Sequence, residues 1–386
     1  MRIAGKDQLS GVRQWSETAA ITHAPSSGTG RPVAGKSGSG SIRKSGSGFI
    51  VSRIYDSAFF IFAPVFAFML VEFVANWDWA LDRHSILGAQ TTPVLFFITV
   101  WTNAHLFAVV FRSHANPKVF SRHRFSFIGV PILLFLGFLL SDWLIITGML
   151  VSALWAVYHL GMQNFGLGRI YDVRRGNPPE MGRVLDYWFQ QFINLGPFLF
   201  GFCLMPSLYA VRRYREVGWE EPTVWLRSFS TVHSEFTAYI VAAGLLFMAF
   251  YVYSYWRLTQ QGYRPCPQKI VLMVSTGTAS VVAWGFLPAW KAFFVMNFFH
   301  ALQYFALVWW TEKANIRRLA RLENVAGGMW LALCGFAVTT LIVGISSQLY
   351  GNDYIALRWT ASMVLVMALM HYWYDGFIWS VRKREV

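Results

Sequence analysis

Residues 124–165 read RFSFIGVPILLFLGFLLSDWLIITGMLVSALWAVYHLGMQNF, and Asp142 is the only formally charged side chain after Arg124. The stretch is long enough for two membrane spans of roughly 20 residues each. The Ser141–Asp142 break places a tight hairpin between them. Inside lipid, a backbone satisfies its own polar groups only as a helix or as a closed barrel. A barrel would show short segments of alternating hydrophobicity, and here the apolar residues run continuously. The stretch therefore sets the fold class as all-α, a polytopic transmembrane helix bundle.

The same pattern extends in both directions. Of 386 residues, 55% are hydrophobic and 13% are charged, against roughly 25% charged in an average soluble domain. Apolar runs predict about ten spans, at 54–76, 91–111, 125–141, 143–165, 188–210, 237–256, 270–287, 292–311, 326–348 and 358–380. A second tight hairpin is expected at Pro288, and the segment 211–236 is expected to lie at the interface. The formal net charge is +14, but the basic residues sit in short patches between apolar runs. Positive-inside topology places such patches in the cytoplasm, which removes nucleic acid as a partner and leaves the lipid bilayer. Arg112, Lys118, Arg122 and Arg124 follow the second span, and Arg169, Arg174 and Arg175 end the fourth. This alternation predicts both termini in the cytoplasm, with the inner membrane of a bacterium as the expected location. Residues 1–48 form a separate basic, Gly/Ser-rich tail, expected to be disordered, and 49–386 form the transmembrane domain. Cys203, Cys266 and Cys334 are far apart and make no disulfide framework.

Ionisable residues inside a membrane are costly and by default mark function. His105, His159, His300 and His371 fall in the second, fourth, eighth and tenth spans, which would all run from outside to inside. His114 and His123 follow on the inner loop after the second span. Six histidines thus occupy one layer in the cytoplasmic half of the bilayer, where separate helices would assemble a metal site. Gln163 follows His159 and Asp375 follows His371 at four residues, and Gln303 follows His300 at three. These spacings place each pair on one helix face. A ligating imidazole needs an acceptor for its other ring nitrogen, so Gln163 and Gln303 are expected to support the ligands or to bond between helices. Asp375 is expected to orient His371 or to bind the ion itself. Histidines with one carboxylate suit non-haem iron better than calcium or magnesium. Each residue also has a bland reading: a lone His bonded to a neighbouring helix, Asp375 paired with a nearby arginine, and the loop histidines at lipid headgroups.

The placement of His105, His159, His300 and His371, each alone in its span, resembles the bacterial Brp/Blh-type β-carotene 15,15′-dioxygenases. In those polytopic membrane proteins, histidines from different helices hold iron, and a lipophilic polyene is cleaved with oxygen. The resemblance implies a membrane dioxygenase, an oxidoreductase acting on a lipophilic small-molecule substrate. The stretches YHLGMQNFGLGRIYD at 158–172, FFHALQYFALVWW at 298–310 and MHYWYDGFIW at 370–379 look like signatures of a bacterial membrane-protein family. Clustered HxxxH and HxxHH boxes are missing, which argues against a di-iron desaturase. Two other classes stay open at this point. A transporter would use the intramembrane His and Asp as a proton or substrate site. A single b-haem would take two of His159, His300 and His371 as axial ligands.

Overall fold

The structure is a computed structural model of the chain and describes residues 48–201, 203–349 and 354–379. The expected disordered tail and the basic C-terminal residues 380–386 lie outside the described residues, apart from Gly48. Among the described residues the ten longest helices carry the fold: α1 (Ala63–Ala75), α2 (Pro93–Ser113), α3 (Arg124–Leu140), α4 (Asp142–Arg174) and α5 (Arg183–Phe200), then α6 (Thr237–Gln260), α7 (Pro267–Phe286), α8 (Ala289–Leu319), α9 (Gly328–Ser346) and α10 (Tyr354–Ile378). Among the described residues the only sheet is a hairpin of β1 (His84–Ile86) and β2 (Ala89–Thr91).

Each of the ten predicted spans falls on one of these helices. Six of them are long and apolar enough to cross a membrane: α2, α4, α6, α7, α8 and α9. A seventh is α1 together with the helical turns Arg53–Ile61 before it, bent by 52° at Phe62. α3 is apolar but only 17 residues long. α5 carries Asp186, Gln190, Gln191 and Asn194 among its buried residues, and these dilute its apolar face. The chain is thus a multi-pass membrane protein by composition and helix length.

Local chemistry sets the helix ends. Ser141 accepts from Leu144 N and caps α4 directly after α3, a standard N-cap, so the first hairpin is as tight as the sequence predicts. Leu287 and Pro288 alone separate α7 from α8. α5 ends at Phe200, ten residues before the predicted end, with Gly201 following it. A Cβ there would lie 2.3 Å from Pro197 O and 2.4 Å from Trp284 O, so only glycine lets the chain pass the end of α7. Beyond it, the expected interfacial segment forms helical turns at Leu208–Val217 and a helix at Glu221–Val232. Tyr214 bonds Thr147 of α4 through their hydroxyls, 2.8 Å apart.

α4 and α8 are 33 and 31 residues long. At 1.5 Å per residue each is about 45–50 Å, longer than the hydrocarbon core. Their overhangs carry charge that the structure buries. Arg169 and Lys269 each reach both Asp172 and Asp186, at 2.6–2.8 Å. Tyr251 and Tyr255 donate to Asp186, and Tyr263 donates to Asp172. Burial, with Asp172 accepting its proton, holds the Tyr263 phenol above its ordinary range. Arg112 of α2 pairs with Glu312 of α8 at 2.6 Å.

The middle of the bundle is built on α2, which packs against α8, α9 and α10, while α10 also packs against α4. At Gly344 of α9 a Cβ would lie 2.4 Å from Val100 O. The missing side chain lets α9 close directly on the α2 backbone, next to the turn that carries His105.

Candidate metal centre

Four histidines from four helices meet in this interior: His105 of α2, His159 of α4, His300 of α8 and His371 of α10. All four are at most 4% exposed. One nitrogen from each lies within 4.8 Å of one nitrogen from every other. The rings form a closed cycle, His105–His300–His159–His371, with centroid separations of 4.7, 5.1, 4.9 and 4.5 Å. Each ring stands edge-on to its two neighbours.

Backbone contacts fix which nitrogens face inward. His105 Nδ1 lies 3.1 Å from Thr102 O, and His371 Nδ1 lies 3.1 Å from Leu106 O. A carbonyl oxygen only accepts, so both Nδ1 atoms carry the proton and both Nε2 atoms present lone pairs. His371 Nε2 then faces His159 Nε2 at 3.2 Å. His105 Nε2 and His300 Nδ1 are buried with no hydrogen-bond partner. Unpartnered buried nitrogens of this kind are rare and call for an explanation.

A cation satisfies all of these observations together. Imidazole nitrogens bind a zinc-like ion at about 2.0–2.1 Å, which puts ligand nitrogens about 3–4 Å apart around one ion. The observed spread needs only a small contraction. The Nδ1–H to carbonyl contacts of His105 and His371 are the orienting bonds that ligating histidines use. The donor set therefore fits a metal. The same closeness disfavours the b-haem reading, because two axial histidines must be held apart by a macrocycle, and these rings pack against one another.

Asp375 lies beside the cycle. Its Oδ1 accepts from Tyr304 OH at 2.8 Å and from Trp379 Nε1 at 2.9 Å. Its Oδ2 lies 3.7 Å from His159 Nε2 and 3.6 Å from His371 Nε2. One carboxylate oxygen is thus pinned, and the other is turned to the imidazoles.

The remaining predicted residues take other places. Gln163 donates to His300 O at 3.1 Å and to Gln303 Oε1 at 3.0 Å, and Gln303 donates to Phe60 O at 2.8 Å. The two amides support His300 through its backbone, tying α4, α8 and the turn before α1 together. They bond between helices and not to the imidazoles, which meets one of their two expected roles and not the other. His114 lies outside the four-histidine group: its Nδ1 meets Ser113 Oγ at 2.8 Å and its Nε2 meets Phe127 O at 3.1 Å. With both nitrogens engaged, it has none left for an ion. His123 also lies outside the group, packed on the Phe127 and Phe377 rings. Arg169, read from sequence as a charge at the inner end of the fourth span, is taken up by Asp172, Asp186 and the carbonyls of Pro179 and Met181.

Tyr304 and Trp379 are the contributors the sequence reading passed over. The Tyr304 ring lies 4.7 Å from His371 and 5.3 Å from His105. The signal was present: Tyr304 follows His300, and Trp379 follows Asp375, each at four residues.

A cavity of about 350 Å³ opens against the His159 and Asp375 side of the cycle. Trp155, Tyr158, Tyr372 and Trp379 wall it, and Pro179 and Glu180 of the α4–α5 connection and Arg183 of α5 line it as well. The volume falls in the roughly 300–1,000 Å³ range of small-molecule sites.

Comparison of the chain with protein-family models, with curated proteins and with solved structures gave no match. The functional reading therefore rests on the site alone.

Proposed function

We propose that the protein is an integral membrane oxidoreductase, a non-haem iron oxygenase that acts on a lipophilic substrate. The observation that carries this reading is the buried four-histidine cycle, with its unpartnered nitrogens, beside a walled cavity. His105, His159, His300 and His371 would hold the ion. Iron bound there would supply the binding and activation of dioxygen. A zinc site with four histidines would be closed, whereas iron accepts further ligands, and the cavity supplies a face on which they can arrive.

The chain's own residues do the rest. Asp375 Oδ2 borders both the imidazoles and the cavity, so it is the atom placed to take or return a proton, or to complete the ligand set. Tyr304 and Trp379 hold Oδ1 and fix the carboxylate plane. Trp155, Tyr158 and Tyr372 offer aromatic faces to an apolar substrate and exclude water around it. The parent orientation is ten membrane crossings with both termini in the cytoplasm of a bacterium, which puts the cycle in the inner half of its inner membrane.

The test is oxygen uptake. Iron-loaded protein in lipid nanodiscs, given a conjugated polyene, should consume oxygen, and the His159→Ala variant should not. Equal uptake by both proteins, or none with any lipophilic substrate despite full iron loading, would overturn the oxygenase reading.

A further inference from the structure

On another face of α4, the helix that carries His159, buried polar side chains gather, and beyond the bonds from Asn194 Nδ2 to Gln190 O and Oε1, 2.9 and 3.2 Å, several of their atoms are unpartnered. Asn164 of α4, Gln190 and Asn194 of α5 and Ser280 of α7 are each at most 1% exposed. Asn164 Oδ1 and Nδ2, Gln190 Nε2, Asn194 Oδ1 and Ser280 Oγ have no hydrogen-bond partner. Thr276, one turn from Ser280, satisfies its hydroxyl on Leu272 O at 2.8 Å. Ser280 does not use this local route.

Three glycines show that these residues share one three-helix junction. A Cβ on Gly161 of α4 would lie 3.3 Å from Asn194 Nδ2 and 3.4 Å from Gln190 O. One on Gly168 would lie 3.4 Å from Met273 of α7, and one on Gly277 of α7 would lie 2.9 Å from Ile193 of α5. Asn164 falls on the helix face of Gly161 and Gly168, and Ser280 on that of Met273 and Gly277. The register puts Gln190 and Asn164 at one level, Asn194 about a turn farther along, and Ser280 beyond it. The group spans roughly two turns, about 10 Å. Gln191 Oε1 and Trp284 Nε1, also buried and unpartnered, flank it. At the other end lies the Arg169–Asp172–Asp186–Lys269 network.

We propose that this junction is a second binding site, which holds ordered water within the membrane domain. The inventory of groups selects the ligand. Amides and hydroxyls carry donors and acceptors together. A bare cation would satisfy the oxygens and strand the Asn164 and Gln190 N–H groups, and an anion would do the reverse. A small neutral molecule that both donates and accepts satisfies them all, and water is the smallest of that kind. In lipid, such groups have no other source of partners. Arg169 sits at the end of this seam and also lines the cavity beside the histidines, so the two polar regions meet at one side chain.

Hydroxyl-radical footprinting by X-ray radiolysis tests this on the full chain in nanodiscs, because radicals made from bound water label the side chains next to it. Phe198, one turn beyond Asn194, and Phe299 are 1% and 0% exposed. Phe198 should be modified several-fold faster than Phe299, and Asn164→Leu with Asn194→Leu should bring its rate down to that of Phe299. Ser280→Ala, a smaller change, should lower the rate in part and serves if the double variant fails to fold. Equal rates for Phe198 and Phe299 in the wild type would overturn the proposal. So would a folded variant with Phe198 labelling unchanged.

Discussion

At the residue scale, the site separates nitrogens that are free from nitrogens that are used. His105, His159, His300 and His371 converge, so on the proposed reading His→Ala at any of them would remove a bond to the ion. Metal analysis of the purified variants should show loss of bound metal. Asp375→Asn keeps the shape of the side chain and removes its charge. If Asp375 only orients the site, the variant should lose about 10–100-fold in metal affinity; loss equal to that of the His variants would make it a ligand. His114→Ala and His123→Ala should keep full metal, since His114 spends both nitrogens on Ser113 and Phe127. Metal loss in either folded variant would show that the inner loop closes the site. The sequence made the four helix histidines and Asp375 visible, because a polar residue alone in an apolar span has few other reasons to be there. It could not separate His114 and His123 from them. His114 is excluded by a neighbouring hydroxyl and a carbonyl 13 residues away, and His123 packs on the Phe127 and Phe377 rings; no spacing rule reports either.

At the element scale, the helices were legible from their apolar runs, and their ends were not. α4 and α8 run past the predicted spans because their overhangs bury charge in pairs across helices. Positive-inside counting treats Arg169 and Lys269 as loop charges, yet both are buried against Asp172 and Asp186. Lys269→Met would leave two carboxylates sharing one guanidinium. Breaking a buried pair by removing one partner costs about 3–5 kcal/mol, so the variant should unfold at a clearly lower temperature in detergent. Its folded fraction should keep the wild-type metal content, because the network touches none of the four imidazoles. Gly344→Val acts through packing. Its side chain would meet Val100 O and push α9 from α2, and a lower unfolding temperature should follow. An unchanged one would mean that the α2–α9 contact is slack.

At the scale of the whole molecule, ten apolar stretches became ten helices, six of them span-like by length and composition, with a bent seventh. Of the four helices outside the six, three have physical causes: α3 is short, the first span is broken at Phe62, and α5 trades apolar residues for buried amides; the fourth is α10. A ten-span fold predicts that tags at residues 1 and 386 are both cytoplasmic and that one in the loop near His84 is not. A C-terminal tag reached only from outside would mean an odd number of crossings.

The central claim is that the four-histidine cycle holds a metal. Elemental analysis of the wild-type protein, purified in mild detergent without added metal, tests it most directly. The account predicts iron near one equivalent per chain, retained through gel filtration and lost from the His159→Ala, His300→Ala and His371→Ala variants. Well-folded wild-type protein that carries no metal, takes up none when offered ferrous iron, and is indifferent to chelators would contradict it.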